Sequence, residues 1–261
     1  MQLIYQNNML IHHGIKGQKW GVKNGPPYPL HKSKNRKIDI EIRINNDGSS
    51  TVPKGFEFDR VGKNQLDPNG AGALYVSYGK SDASRYIKNL GPTPFRKIIK
   101  MYGAYSQKLK AINDIRIASK EQLSSMISNS LYNNSEIRKA INGSLYSMML
   151  DNNWDNKLET YINNPSSDEA MKLAYAVSSM FGDPSYYNET KQLFDDYKSK
   201  GFDAIPDLQD IMTGTSETAT IVINTNKIKT ISVNPISKSD MKKAKQYVKS
   251  LEKLKVSDII A

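Results

Sequence analysis

The chain has 261 residues, 38% of them hydrophobic and 24% charged, which suits a soluble globular protein with room for one large domain or two smaller ones. It has no cysteine and only three histidines (His12, His13 and His31), so disulfides, thiol catalysis, a Cys-ligated metal and a histidine base in the folded body are excluded. Its 37 Lys and Arg outnumber its 26 Asp and Glu for a net charge of +11, and the excess sits at the ends: residues 1–37 hold seven cations and no acid, and residues 238–255 hold seven lysines against Asp240 and Glu252. Basic ends of this kind suit a polyanionic partner, or a solvated surface that keeps the chain soluble.

Residues 1–37 are rich in Gly, Pro and lysine without helical or strand periodicity, and read as a flexible arm. The opening Met1–Tyr5 lacks the basic start and apolar core of a secretory signal, and no run approaches eighteen apolar residues, so neither export by a signal peptide nor a membrane span is expected. From Ile38 the pattern turns to β: Ile38–Ile44 alternates, Asp47-Gly48 marks a hairpin turn, and Phe56–Val61 alternates again after Pro53-Lys54-Gly55. A loop through Asp67-Pro68-Asn69-Gly70-Ala71-Gly72 leads to a strand at Ala73–Tyr78, and Ser81 or Asp82 caps a short helix carrying Ala83, Tyr86 and Ile87.

Residues 94–200 read as a helical insertion. Phe95, Ile98, Ile99, Tyr102 and Tyr105 fall at helical spacing, as do Ile137, Ile141, Leu145, Met148 and Met149, and these stripes are expected to be core. Ser166 and Glu169 form a capping-box pattern ahead of Met171, Leu173, Ala174 and Val177, and a helix over Thr190–Lys200 stops at Gly201. Strands return at Phe202–Ile205, Ala219–Ile223 and Lys229–Val233, the last ending at Pro235, and an amphipathic basic helix closes the chain near 238–254. The expected fold is α+β, a small sheet built from early and late strands with helices inserted between them, over residues 38–261.

The arm contains His12-His13-Gly14-Ile15-Lys16-Gly17-Gln18-Lys19-Trp20-Gly21-Val22, followed by Asn24-Gly25-Pro26-Pro27-Tyr28-Pro29-Leu30. Over about twenty residues this resembles a segment found near the ends of bacteriophage and prophage head-associated proteins. The resemblance implies a virion protein, or one acting in the host cytoplasm, that docks a head or portal protein through residues 9–30. Lysines around Trp20 and Tyr28 also suit nucleic acid, by phosphate pairing and base stacking.

Three pieces of the expected sheet carry chemistry. The first ends a strand in Arg60, the second bears Tyr75 and Ser77 and leads into a helix at Asp82, and the third is Gly201-Phe202-Asp203-Ala204-Ile205 followed by Asp207 and Asp210. Their order resembles the ADP-ribosyltransferase-like fold of phage proteins and polymorphic toxins. The resemblance implies NAD as substrate without a metal, Arg60 on a phosphate, Tyr75 or Ser77 shaping the nicotinamide pocket, and an acid facing the ribose. The family's acid is a Glu on a late strand; here Asp207 and Asp210 stand after the third piece, and Glu217, just before Ala219–Ile223, is their rival. The chemistry needs no more than this toolkit. Cleaving the glycosidic bond of NAD builds positive charge on the ribose that a fixed carboxylate stabilises, and a guanidinium clamps phosphate.

The expected function is thus a phage-encoded, head-associated protein that transfers ADP-ribose from NAD to a host target. The competing readings are a non-enzymatic head or internal protein binding DNA or capsid partners, and an inhibitor of host defence that binds its ligand without turning it over. A host protein or nucleic acid is a candidate target, and no membrane partner is expected. Asp195-Asp196 could hold Mg²⁺ but reads better as a solvated helix face. There is neither a Walker-type Gly-Lys-Ser/Thr loop nor a G-x-G-x-x-G fingerprint.

Overall fold

The structure, a computed structural model, describes residues 41–62, 70–78, 80–89 and 104–260. These belong to one unit, Ile40–Ala261. The basic arm with its head-type motif, and the readings at Ile38–Ile40, Asp67 and Phe95–Tyr102, lie outside the described residues.

The Asp47-Gly48 turn forms as its sequence dictates. Gly48 has φ +83°, a conformation that favours glycine, and the Asp47 carboxylate accepts the Ser49 amide at 3.0 Å and its hydroxyl at 2.6 Å. The turn joins Arg43–Ile44 (β1) to Ser50–Val52 (β2). Pro53-Lys54-Gly55 then turns the chain into another sheet as Glu57–Gly62 (β3), and Leu74–Val76 (β4) returns it to the first. The remaining strands are Tyr105–Ala111 (β5), Ile115–Ile117 (β6), Ala204–Pro206 (β7), Thr220–Val222 (β8) and Ile228–Pro235 (β9). They form a six-stranded sheet in the order β1-β2-β6-β7-β8-β4 and a three-stranded one in the order β3-β5-β9.

Every pairing is antiparallel except β6 with β7. A parallel pair needs a long crossover, and the helical insertion supplies it. It comprises Lys120–Asn133 (α2), Ser135–Asn142 (α3), Leu158–Asn163 (α4), Asp168–Met180 (α5) and Tyr187–Ser199 (α6), with short 3-10 turns between them. Outside it lie Lys80–Asn89 (α1), Leu208–Met212 (α7) and Lys238–Ile260 (α8).

The alternation of β7 and β8 explains the layering. Ile205 and Ile221 point into a core shared with Leu123, Leu173, Phe194 and other helix residues. Ala204 and Val222 point the other way, into a core with Phe58 and Leu109 of the three-stranded sheet. The large sheet is therefore covered on both faces, which is why its central strands read as continuous apolar runs instead of alternating ones. The observed class is α+β, with late strands joining early ones around a helical insertion.

Several expectations are corrected. The sheet is two sheets, because the bends at Pro53–Gly55 and at 225–227 pass the chain from one to the other. Tyr105 lies in β5, and β5 and β6 occupy 105–111 and 115–117, so this part of the span read as helical is strand. Its partner strands hide β5 from a helical periodicity: Gln107, Leu109 and Ala111 are inward at period two. The last helix extends to Ile260, past the expected 254. Leu145, Met148 and Met149 are not core but 81%, 86% and 47% exposed, in a 3-10 turn that rotates them away from Ile137 and Ile141. The cap of α5 is Ser167, which accepts the Ala170 amide, one residue after the expected Ser166. Gly201 ends α6 with φ +84°, as its position after Lys200 predicts.

Candidate functional site

Arg60 and Ser77 are brought onto adjacent strands. β3 and β4 belong to different sheets yet meet at one bridge, where Asp59 and Ser77 exchange both backbone hydrogen bonds at 2.7 and 2.8 Å. Arg60 is the next residue along β3, and its guanidinium donates to the Gln107 side chain at 2.9 Å. Gln107 is its register partner on β5 and is fully buried. The other neighbour of β4 is β8, with Tyr75 opposite Ile221. β3, β4 and β8 therefore lie side by side at the corner where the two sheets meet.

Glu217 enters this corner from the loop before β8. The loop is tied down by a single carboxylate. Asp82, in the first turn of α1 and wholly buried, accepts the Ser216 hydroxyl at 2.7 Å, the Thr218 amide at 3.0 Å and the Thr218 hydroxyl at 2.6 Å. Thr218 in turn accepts the Tyr78 amide at the end of β4, at 3.0 Å. Arg85, one turn after Asp82, lies 3.5 Å from both Asp82 and Glu217. Glu217 is 49% exposed, so its carboxylate is held at the edge of this network with one side facing solvent.

Asp207 and Asp210 form a separate cluster. Asp207 is the N-cap of α7 and accepts the Gln209 and Asp210 amides at 3.1 and 3.3 Å. It is only 5% exposed, and burial, then the Asp210 charge, push its carboxyl up to about 7. The Tyr86 hydroxyl of α1 donates to Asp210, whose carboxyl is also raised, chiefly by burial. Tyr75 completes the group. Burial and the nearby Asp207 raise its phenol, and its buried hydroxyl has no hydrogen-bond partner among the described residues. Two carboxyls and two phenols thus share a poorly solvated space in which a proton is readily held. Asp207 is enclosed there as a helix cap, whereas Glu217 is half-exposed.

The rest of the third sequence piece is structural. Asp203 accepts the Arg116 amide at 3.0 Å, the Asn224 side chain at 2.9 Å and the Lys227 ammonium at 2.7 Å, tying β6 to the turn before β9. Asp195 and Asp196 are each paired with lysines of their own helix or its cap, as a solvated face requires. Among the described residues no group of acids and histidines is arranged to hold a metal ion, and no helix is long and apolar enough to cross a membrane. A groove of about 530 Å³ lies elsewhere, among α2, α3 and α6, lined by Asn129, Asn133 and Gln192 together with Ile137 and Leu193.

Arg85 and Gln107 are neighbours that sequence reading passes over, and Asp82, expected with Ser81 as a candidate cap of α1, lies instead within its first turn and anchors the loop before β8. The i, i+3 spacing of Asp82 and Arg85 signals a helical ion pair. Nothing local signals that Asp82 reaches a loop more than a hundred residues away. No family model matches the chain, and neither does any curated protein or solved structure.

Proposed function

We propose that this chain is a phage- or prophage-encoded, head-associated protein whose body is ADP-ribosyltransferase-like and transfers ADP-ribose from NAD to a host target. The observation that carries the reading is the adjacency of β3, β4 and β8, with Arg60 on the first, Tyr75 and Ser77 at the second, and Glu217 at the entrance to the third. The order of these elements, with a helix after the second, is the order the resemblance implies. The His12–Val22 motif supports the phage context.

In this reading the Arg60 guanidinium, steadied by Gln107, pairs with a phosphate oxygen of NAD. Ser77, buried at its bridge to Asp59, shapes the floor of the nicotinamide site, while Tyr75 lines the helix side of β4 beside Asp207. Glu217, placed by Arg85 and by the Asp82 anchor of its loop, faces the ribose. As the bond from ribose C1′ to the nicotinamide nitrogen lengthens, its electron pair leaves with nicotinamide, which departs neutral. The carboxylate stabilises the ribosyl cation until an acceptor nucleophile bonds to C1′ and gives up its proton. Glu217 is preferred over Asp207 and Asp210 because its carboxylate is accessible and theirs are spent on a helix cap and on Tyr86.

Calorimetric titration with NAD tests the assignment. The native chain is expected to bind, Arg60→Ala to lose about 10- to 150-fold in affinity, as for loss of a charge-assisted bond, and Glu217→Gln to bind nearly as well as the native chain. Absence of NAD binding, or equal binding by Arg60→Ala, would sink it.

A further inference from the structure

We propose that the face of α8 bearing Lys238, Lys242, Lys245 and Lys249 is a docking surface for the phosphate backbone of duplex DNA. The spacings of four, three and four residues bring these side chains within an arc of about 60° on a helix of 3.6 residues per turn. They run along one line about 16 Å long, at a rise of 1.5 Å per residue. All four are exposed. The helix packs along α1 and buries Ala244 and Val248, about a third of a turn round from the lysine line. The one acid between Lys238 and Lys249 is Asp240, on the far side of the helix, where it accepts from the Ser237 amide and hydroxyl at 2.9 and 2.7 Å.

Five of the seven lysines of the helical insertion are ion-paired, Lys120 and Lys172 being single exceptions on different helices. Lys139, Lys157, Lys191, Lys198 and Lys200 in the helical insertion are each paired with a nearby aspartate or glutamate. Lys238, Lys242, Lys245 and Lys249 have no ion pair among the described residues. Like charges at this spacing weaken a helix by a few tenths of a kcal/mol per pair, a cost that an external anion along the row relieves. Duplex DNA presents about one charge per 1.7 Å of axis in rigid rows, complementary to cations fixed on a rigid line. An acidic protein partner would need apolar anchors, and this face has none. A membrane would need an apolar face to insert, and that of α8 is used against α1. The proposal is independent of whether the body turns over NAD.

Fluorescence anisotropy of the full chain with a labelled 24-base-pair duplex tests it as salt is varied. Neutralising the row in K238Q/K242Q/K245Q/K249Q is expected to flatten the log–log salt slope by about 3.6, that is 0.9 for each of four phosphates. That slope corresponds to about 150-fold in affinity between 50 and 200 mM salt. The half variants K238Q/K242Q and K245Q/K249Q should each remove about half the slope, which keeps the test sound should the full variant lose its fold. The charge-matched control K54Q/K139Q/K172Q/K191Q takes the same net charge (+11 − 4 = +7) and should keep the native slope. The proposal is overturned if the native chain does not bind the duplex, or if the control and the row variants lose equally. It is also overturned if polyglutamate or phosphatidylserine vesicles bind the row as tightly as DNA does.

Discussion

Replacing Asp207 by Asn should make the protein progressively more stable than the native chain as pH rises from 5 to 7.5. In the unfolded chain this carboxyl loses its proton near its ordinary 3.8, whereas in the fold burial holds the proton on to about 7. Between those values the folded state binds more protons than the unfolded one, so Asp207 makes stability fall with rising pH. Worked through the two values, the loss between pH 5 and pH 7.5 is about 2.5 kcal/mol. Asn keeps an oxygen for the Gln209 and Asp210 amides and is as good an N-cap as Asp, so α7 is retained while the titration is removed. Urea unfolding of both proteins at several pH values, followed by circular dichroism, reads the difference directly. The gain of Asp207→Asn over the native chain should widen by about 2.5 kcal/mol, or about 5–10 °C in melting temperature for a body of this size. A difference that stays flat to within about 0.5 kcal/mol would refute the argument that Asp207 is enclosed and protonated near neutrality.

Other substitutions probe the supports of the site. Asp82→Asn presents an amide to donors that need an acceptor, and should cost about 3 kcal/mol, since Ser216 and Thr218 lose a charged partner in a buried setting; a melting temperature lowered by less than 1 °C would show that the loop is held in another way. Gly201→Ala places a Cβ at φ +84° and 3.3 Å from the Arg116 guanidinium, and should lower stability by about 1–2 kcal/mol in thermal melts. Gly70→Ala would drive its Cβ into the Tyr187 ring, so that ring must move, and the near-ultraviolet tyrosine signal should change along with a lower melting temperature.

The parts of the fold legible in the sequence are those set by short-range physics. Asp47-Gly48 specifies its turn, Gly201 its helix stop, and Thr220–Val222 its burial on both faces. The transfers between sheets were not legible, because Pro53–Gly55 and the turn at 225–227 look like ordinary hairpin connections. β5 was lost for a related reason: Tyr105 sits at helical spacing from residues before it, and only its pairing with β3 and β9 makes it a strand. Within the site, the strand position of Arg60 could be read from alternation, and that of Tyr75 from the β-rich run after the Gly70–Gly72 loop, with Ser77 just past its end. The partition of the acids could not. Asp207 caps a five-residue helix and Glu217 hangs on a carboxylate from α1, and both facts depend on contacts far apart in the chain.

Nicotinamide release from NAD, with a host lysate supplying the acceptor, decides whether Glu217 faces the reacting ribose. The native chain should release nicotinamide. Glu217→Gln should release it about 10²- to 10³-fold more slowly, the loss expected for removing one electrostatic stabiliser of the transition state. Asp207→Asn should release it at close to the native rate. No release by the native chain, or a rate that falls with Asp207→Asn and survives Glu217→Gln, would contradict the site as assigned.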